Sequence, residues 1–271
     1  MFNSHTHSKY SHDSEETIDN ICKSAINSGL KGIAFTDHVT VYKYDELNIY
    51  SKILKCKEEI FAKRKEYEGK LKLLFGVEIS ESFFNPNHVN EILNIKDLDV
   101  VLCSLHGKVP IEDLGANSHL RINDFTKFSK ETIKNIVTVY YNVLKNMAKT
   151  NDYDVLAHLT YPFRYINCRD KVGFDIFEIK SEFVEILNIL IERDKALELN
   201  TSMSDSDFFM PSEEILTLYK QLGGKKVTLG SDAHTATNVA KGLKEGIELL
   251  KKCGFTKYYY YENRKPVPVK I

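Results

Sequence analysis

Short, almost uninterrupted apolar runs alternate with longer amphipathic ones along the chain. The alternation predicts repeated strand-then-helix units. Runs at 2–7, 32–36, 71–77, 99–105, 153–158, 196–200 and 226–230 are mostly Val, Ile, Leu and Phe, with little polar alternation. Such continuity suits strands covered on both faces, as in a parallel sheet. Helices are predicted between them, near 14–29, 46–69, 87–96, 129–150, 175–193, 212–223 and 237–253. In the second, Ile53, Cys56, Ile60 and Tyr67 share one face while Lys52, Lys55, Lys63 and Lys65 face water. Ser14 is the expected start of the first helix, with Glu15 and Glu16 complementing its dipole and Gly29 ending it. Asn85-Pro86 and the stretch 107–123 read as loops, the latter long enough to cover an active site. An extra edge strand is expected at 258–261, followed by extended chain. Seven units without a break in composition predict an α/β fold, one closed or nearly closed barrel domain over 1–271.

Composition narrows the classes. Lys and Arg total 37 and Asp and Glu 38, a net charge of −1. A dedicated nucleic-acid binder usually carries a basic excess, so that partner class is disfavoured. No apolar stretch is long enough to cross a bilayer, and the start MFNSHTHSKY has no apolar leader core. The five cysteines, Cys22, Cys56, Cys103, Cys168 and Cys253, include no CxxC pair. Free thiols and a cytoplasmic location are the expectation. No GxSxG, P-loop or GxGxxG occurs, which leaves serine-hydrolase, nucleoside-triphosphatase and dinucleotide readings without support.

The histidines carry the chemistry. His5 and His7 form an HxH, with His12 five residues on. With nine histidines, chance alone supplies roughly 0.3 such pairs, so the motif is weak by itself. The conjunction is stronger. Asp37-His38, Glu78, His106, His158 and the Asp232/His234 pair fall at the ends of five further predicted strands. An HxH on a strand points both rings to one face. The C-terminal ends of barrel strands converge on one rim, so these residues can meet. Seven imidazoles and two carboxylates exceed the needs of one tetrahedral ion and suffice for two or three if a carboxylate bridges. Asp37 is expected to orient an imidazole or cap a segment. His88 and His119 read as ordinary loop histidines. Arg164, shortly after His158, and Arg121, in the long loop, are candidates to grip an anion, since guanidinium suits phosphate.

The string His5-x-His7-x4-His12, Thr36-Asp37-His38, Gly76-Val77-Glu78, Ser104-Leu105-His106, His158, Ser231-Asp232-Ala233-His234 resembles the PHP family, named for polymerase and histidinol phosphatase. The match runs through essentially the whole chain and is most similar to the stand-alone histidinol-phosphatase branch. One departure is Asn3, where the family often has Asp. The resemblance implies a distorted (β/α)7 TIM-like barrel holding three divalent transition-metal ions, zinc, manganese or iron. It assigns His5, His7, Glu78 and Asp232 to one ion, and Glu78, His106 and His158 to a second, with Glu78 bridging. His12, His38 and His234 go to a third. The implied activity is hydrolysis of a small phosphate ester, L-histidinol phosphate, by a hydroxide held between ions. Asp232 and His234 are the candidate catalytic residues, and either a metal or Asp232 assists the leaving alkoxide. Asp205 and Asp207 are possible partners for the substrate's amine. A PHP phosphoesterase acting on nucleotides or nucleic-acid ends is the alternative, and a non-catalytic metal-binding domain is the other class open.

Overall fold

The computed structural model describes residues 1–271. Nine strands lie in one sheet in sequence order: β1 (Phe2–Thr6), β2 (Gly32–Thr40), β3 (Lys72–Ser80), β4 (Val100–Ser104), β5 (Val155–Leu156), β6 (Ala196–Asn200), β7 (Val227–Gly230), β8 (Lys257–Glu262) and β9 (Lys265–Lys270). Every pairing from β1 to β8 is parallel. The helices are α1 (Ile18–Asn27), α2 (Ile49–Glu66), α3 (Pro86–Leu93), α4 (Lys130–Thr150), a single turn α5 (Tyr161–Phe163), α6 (Lys180–Glu192), α7 (Glu213–Gln221) and α8 (Leu243–Lys252). No helix is long and apolar enough to cross a membrane.

The curled sheet is a distorted barrel that no continuous ladder closes. Its first strand meets the chain beyond β7 through a single bridge, Thr6 to Ala233. There the His7 N–H donates to Ala233 O at 2.8 Å, and the Asp232 N–H to His5 O at 2.9 Å.

Local chemistry explains the helices. The apolar stripe of α1 is Ile18, Ile21, Cys22 and Ala25, all buried, which is helical spacing on one face. Its cap is Thr17, whose side chain accepts from the Asn20 N–H. The expected Ser14 start is therefore three residues early; Ser14 Oγ instead donates to His234 O at 2.9 Å. Gly29, at φ +74°, ends the helix in the left-handed conformation. On α4 the buried stripe runs Ile133, Ile136, Val137, Tyr140, Tyr141, Leu144 and Met147, behind a Ser129 cap, and α4 packs on α6.

Strand parity positions the site. Ala34, Leu74, Val100, Leu102, Val155, Ala157 and Ala196 form a small separate cluster in the barrel interior. Counting by twos from these toward the C-terminal rim gives Thr36 and His38 on β2, Gly76 and Glu78 on β3, and Glu198 and Asn200 on β6. The lower barrel is thus plugged by apolar side chains and the upper barrel by polar ones. The second and third strands run to Thr40 and Ser80, well past the expected ends. His38 and Glu78 are therefore paired within the ladder, in register with each other.

The chain after 258–261 is also more ordered than expected. β8 and β9 form an antiparallel hairpin about Asn263 and Arg264, both at positive φ, as a two-residue turn of the primed type requires. Pro266 and Pro268 are tolerated because β9 is an edge strand.

Candidate metal centre

The structure brings nearly all the expected ligands to one rim. His5, on β1, and His7, just after it, are fully buried. His106 and His158 follow β4 and β5, and Asp232 and His234 follow β7. Two of these positions hold strained backbone: φ is +27° at His158 and +52° at Asp232, conformations of order 1–3 kcal/mol above the ordinary basins.

The protonation pattern shows what the cluster lacks. His5 Nδ1 lies 2.6 Å from Glu198 Oε1, so the ring proton sits on Nδ1. His7 Nδ1 lies 3.1 Å from Ser11 Oγ, and Ser11 Oγ donates to Asp37 Oδ1 at 2.7 Å. The hydroxyl's own proton is committed, so His7 also donates from Nδ1. Both Nε2 atoms then carry bare lone pairs, yet they lie 3.0 Å apart. Asp232 Oδ1 stands 3.2 Å from His7 Nε2 and 3.6 Å from His5 Nε2, and Glu78 Oε2 stands 3.6 Å from each. With both rings neutral, four electron-pair donors converge with no proton between them, an arrangement that fits a cation.

The other carboxylate oxygen faces a second group. Glu78 Oε1 lies 2.9 Å from His158 Nε2 and 3.2 Å from His106 Nε2. Those two nitrogens are 3.2 Å apart. Glu78 Oε2 also lies 2.7 Å from His38 Nδ1, although neither atom makes an aligned hydrogen bond. A fully buried carboxylate with an oxygen in that state also fits a missing cation. His38 Nε2 and His234 Nε2 stand 3.4 Å apart. The His7 ring stacks on both, at 4.1 and 4.2 Å. His12 is the outlier. It is exposed, with its ring 5.3 Å from that of His38.

Electrostatics tells the same story. Burial alone would raise the Glu78 and Asp232 pKa values, but His106, His5 and His38 for Glu78, and His5 and His7 for Asp232, hold both well below the carboxylate range. Burial pulls His5 down, and Glu198, Asp232 and Glu78 together override it, so His5 is held well above its ordinary value. His7 is pushed well below its ordinary value by burial and by His38 and His234.

Of the residues that support the centre, Asp37 and Asn3 were singled out by the sequence and Glu198 was not. Glu198, on the one barrel strand with no expected ligand, is buried. Besides orienting His5, its Oε2 accepts from the His158 N–H at 2.8 Å. Gly230 lies against it, where a Cβ would stand closer than 3.0 Å to Glu198 Oε1 and 2.5 Å from His5 Cβ. Asp37 accepts from the Ser8 N–H, the Ser8 and Ser11 hydroxyls and the Cys56 thiol, bracing the loop that carries His7 to His12. Asn3 stitches the seam. Its Oδ1 accepts from the His5 and Ser231 N–H groups, and its Nδ2 donates to Ser231 Oγ and Val239 O.

Above the cluster opens a cleft of about 520 Å³, lined by residues that include Asp13, Tyr42, Glu81, His106, Arg121, Tyr161 and Arg164. Arg121 and Arg164 both face it, and neither is engaged in an ion pair. The long loop supplies part of its wall through His119 and Arg121. His119, read from the sequence as an ordinary loop histidine, thus lines the cleft. His88 stacks on Tyr44 at 4.1 Å, away from the cleft. Asp205 is held by Lys241 at 2.8 Å, and neither Asp205 nor Asp207 lines the cleft.

Comparison with known proteins agrees with this geometry. The PHP domain family model matches residues 3–202. The "Histidinol-phosphatase" of Lactococcus lactis subsp. lactis is 29% identical over 257 residues, 93% of this chain and 90% of that one. A Thermotoga maritima protein named "Probable histidinol-phosphatase" is 30% identical over the full length of both. The crystal structure of histidinol phosphate phosphatase from Lactococcus lactis subsp. lactis, complexed with zinc, L-histidinol and phosphate, superposes with a TM-score of 0.78 at 26% identity. That match covers 98% of each chain.

Proposed function

The chain belongs to the PHP domain family, and from that premise we propose that it is a metal-dependent phosphomonoesterase that hydrolyses L-histidinol phosphate to L-histidinol and phosphate. The carrying observation is the facing pair of lone pairs at His5 and His7, 3.0 Å apart, flanked by two carboxylates. It lies beneath a cleft whose two arginines have no acidic partner. The reading takes residues 1–271 as one domain, because the proposed ligands lie on or shortly after strands of one sheet.

Three ions are proposed. His5, His7, Glu78 and Asp232 would hold one. Glu78, His106 and His158 would hold the next, with Glu78 shared. His38 and His234, with His12, would hold the third. Nitrogen-rich ligation suits zinc, manganese or iron better than magnesium or calcium. Bound divalent ions supply a nucleophile at neutral pH and neutralise the phosphoryl oxygens.

The chain's own residues do the rest. Glu198 and Ser11 fix the tautomers of His5 and His7, presenting Nε2 inward. Arg164 and Arg121 approach the phosphate from the cleft wall, where a guanidinium can make two parallel hydrogen bonds to it. Asp232, its carboxyl held ionised by His5 and His7, keeps negative charge beside the reacting centre. In this reading either Asp232 or a metal assists the leaving alkoxide. His234, whose Nδ1 donates to Asp232 O at 2.9 Å, is fixed to the same turn.

The test is turnover of L-histidinol phosphate against 5′-nucleotides by the metal-loaded protein. The expected kcat/KM is at least about 100-fold higher for L-histidinol phosphate, with activity lost to a chelator. Arg164→Ala should raise KM and leave the metal content unchanged. Equal or better turnover of nucleotides would replace the substrate assignment. Unchanged activity in the chelator would end the metal-dependent reading.

A further inference from the structure

We propose that Glu81 determines substrate specificity, its free carboxylate oxygen receiving the ammonium group of the phosphate ester. The proposal rests on the L-histidinol phosphate reading above and adds the group that recognises the amine. Glu81 follows β3 and is buried in the cleft wall. Its Oε1 accepts from the His106 N–H at 2.7 Å and from the Gly107 N–H at 2.9 Å. Its Oε2 is shielded from bulk water and accepts from nothing. One other carboxylate oxygen in the protein is in that state, Glu78 Oε2, and the metal centre accounts for it. A buried carboxylate oxygen without a donor is costly. A ligand that brings a donor removes the cost.

Charge accounting points the same way. The cleft wall carries three carboxylates, Asp13, Glu81 and Asp232. Two face imidazoles of the cluster. Asp232 Oδ1 stands 3.2 Å from His7 Nε2, and Asp13 Oδ2 stands 3.4 Å from both His38 Nε2 and His234 Nε2. Glu81 belongs to none of the groups of side chains that could hold an ion. It is the acid left over for a ligand, as Arg121 and Arg164 are the free cations. L-Histidinol phosphate carries the matching pair of charges, a phosphate and an ammonium on the carbon next to the ester methylene. Glu81 is bonded to the backbone of His106, a residue of the metal rim. Its carboxylate therefore stands near the reacting end of the ester, where the ammonium is. A 5′-nucleotide has no cation at that place.

The carboxylate is fixed before a ligand arrives. The Glu81 backbone is left-handed, φ +50°, a strained state for a residue with a side chain. The two N–H bonds hold the group in one orientation, so little ordering is left to the moment of binding. Glutamine in its place can keep both bonds through its amide oxygen. Its NH₂ would then meet the ammonium, donor against donor.

The experiment measures kcat/KM of metal-loaded wild type and Glu81→Gln on three esters. These are L-histidinol phosphate, imidazolylpropyl phosphate, which lacks the amine, and L-alaninol phosphate, which lacks the imidazole. Wild type should prefer L-histidinol phosphate to imidazolylpropyl phosphate by about tenfold or more, and Glu81→Gln should lose most of that preference. A preference that changes by less than about threefold would overturn the assignment, and an equal fall on both esters would mean that Glu81 acts only through His106. L-Alaninol phosphate should fall with L-histidinol phosphate; if it is spared, the carboxylate reads the imidazole and the ammonium assignment is overturned. Should Glu81→Gln fail to fold, titration calorimetry on wild type decides. L-Histidinol should bind about tenfold more tightly than imidazolylpropanol, and equal affinities would overturn the proposal. Normal turnover of L-histidinol phosphate with an unshifted preference removes Glu81 alone, whereas a wild type inert on that ester removes the substrate reading and this assignment with it.

Discussion

Replacing Glu198 with Gln isolates one charge at the floor of the centre. The carboxylate accepts from three donors: His5 Nδ1–H at 2.6 Å, the His158 N–H at 2.8 Å and Asn200 Nδ2–H at 3.3 Å. An amide has one acceptor oxygen and an NH₂ that must face one of these donors. If the NH₂ faces His5, the ring proton moves to Nε2, where it bonds the His7 nitrogen 3.0 Å away. The metal-free protein then loses little stability, about 1 kcal/mol or less. The lone pair that a cation needs is nevertheless gone. If the NH₂ faces His158 instead, two buried donors oppose each other at a cost of about 1–3 kcal/mol. The expected result is a folded protein with metal affinity lowered about 10–100-fold, equivalent to about 1.4–2.8 kcal/mol. A competition titration against a chromophoric chelator reads the affinity, and circular dichroism with thermal melting reads the fold. Affinity within threefold of wild type, in a folded variant, would refute the tautomer argument.

Two more outcomes are expected. Gly230→Ala places a methyl against Glu198 Oε1 and His5 Cβ. It should cost about 1–3 kcal/mol in urea denaturation and lower metal content, whereas wild-type values for both would show that the floor has room to spare. The metal-free protein should also melt at lower temperature as pH rises from about 6 to 9. His5, His38 and His234 have raised pKa values, so the stability they contribute is present below about 6.5 and lost as pH rises through the raised values. His7 and His12 are lowered and oppose this in part. Glu78 and Asp232, both depressed, contribute stability above about pH 4 that is lost in stronger acid. Metal binding needs neutral imidazole and should strengthen over the same rise in pH; a metal-free melting temperature that climbs from pH 6 to 9 would contradict the assignment.

The rim was legible because strand periodicity is short-range and histidine is rare. His5 and His7 share a face by counting alone, and His106, His158 and Asp232 follow apolar runs that end visibly. His38 and Glu78 were found as residues but placed too near strand ends. The extra length of β2 and β3 comes from pairing with each other, which no local propensity records. Glu198 was within reach: in Ala196-Leu-Glu-Leu-Asn200 an acid sits between two leucines on a strand expected to be buried. A buried carboxylate needs partners, but only the fold shows that they are His5 and His158. Arg121 and Arg164 were visible as candidates. Asp205 and Asp207 lie off the cleft wall, and Asp205 is engaged by Lys241, a pairing that local sequence cannot foresee.

The seam at Thr6 and Ala233 has a consequence for biosynthesis. The first strand leaves the ribosome long before its neighbour across the seam exists. At about 5–20 residues per second, the 226 residues between them take roughly 11–45 s to make. Throughout that interval the nascent chain holds His5 and His7 without Asp232 or His234, a half-built chelator exposed to whatever ions the surroundings offer. With Asp232 and His234 still to be made, that site is short of its full donor set, so full metal affinity would be reached only after the seam has closed.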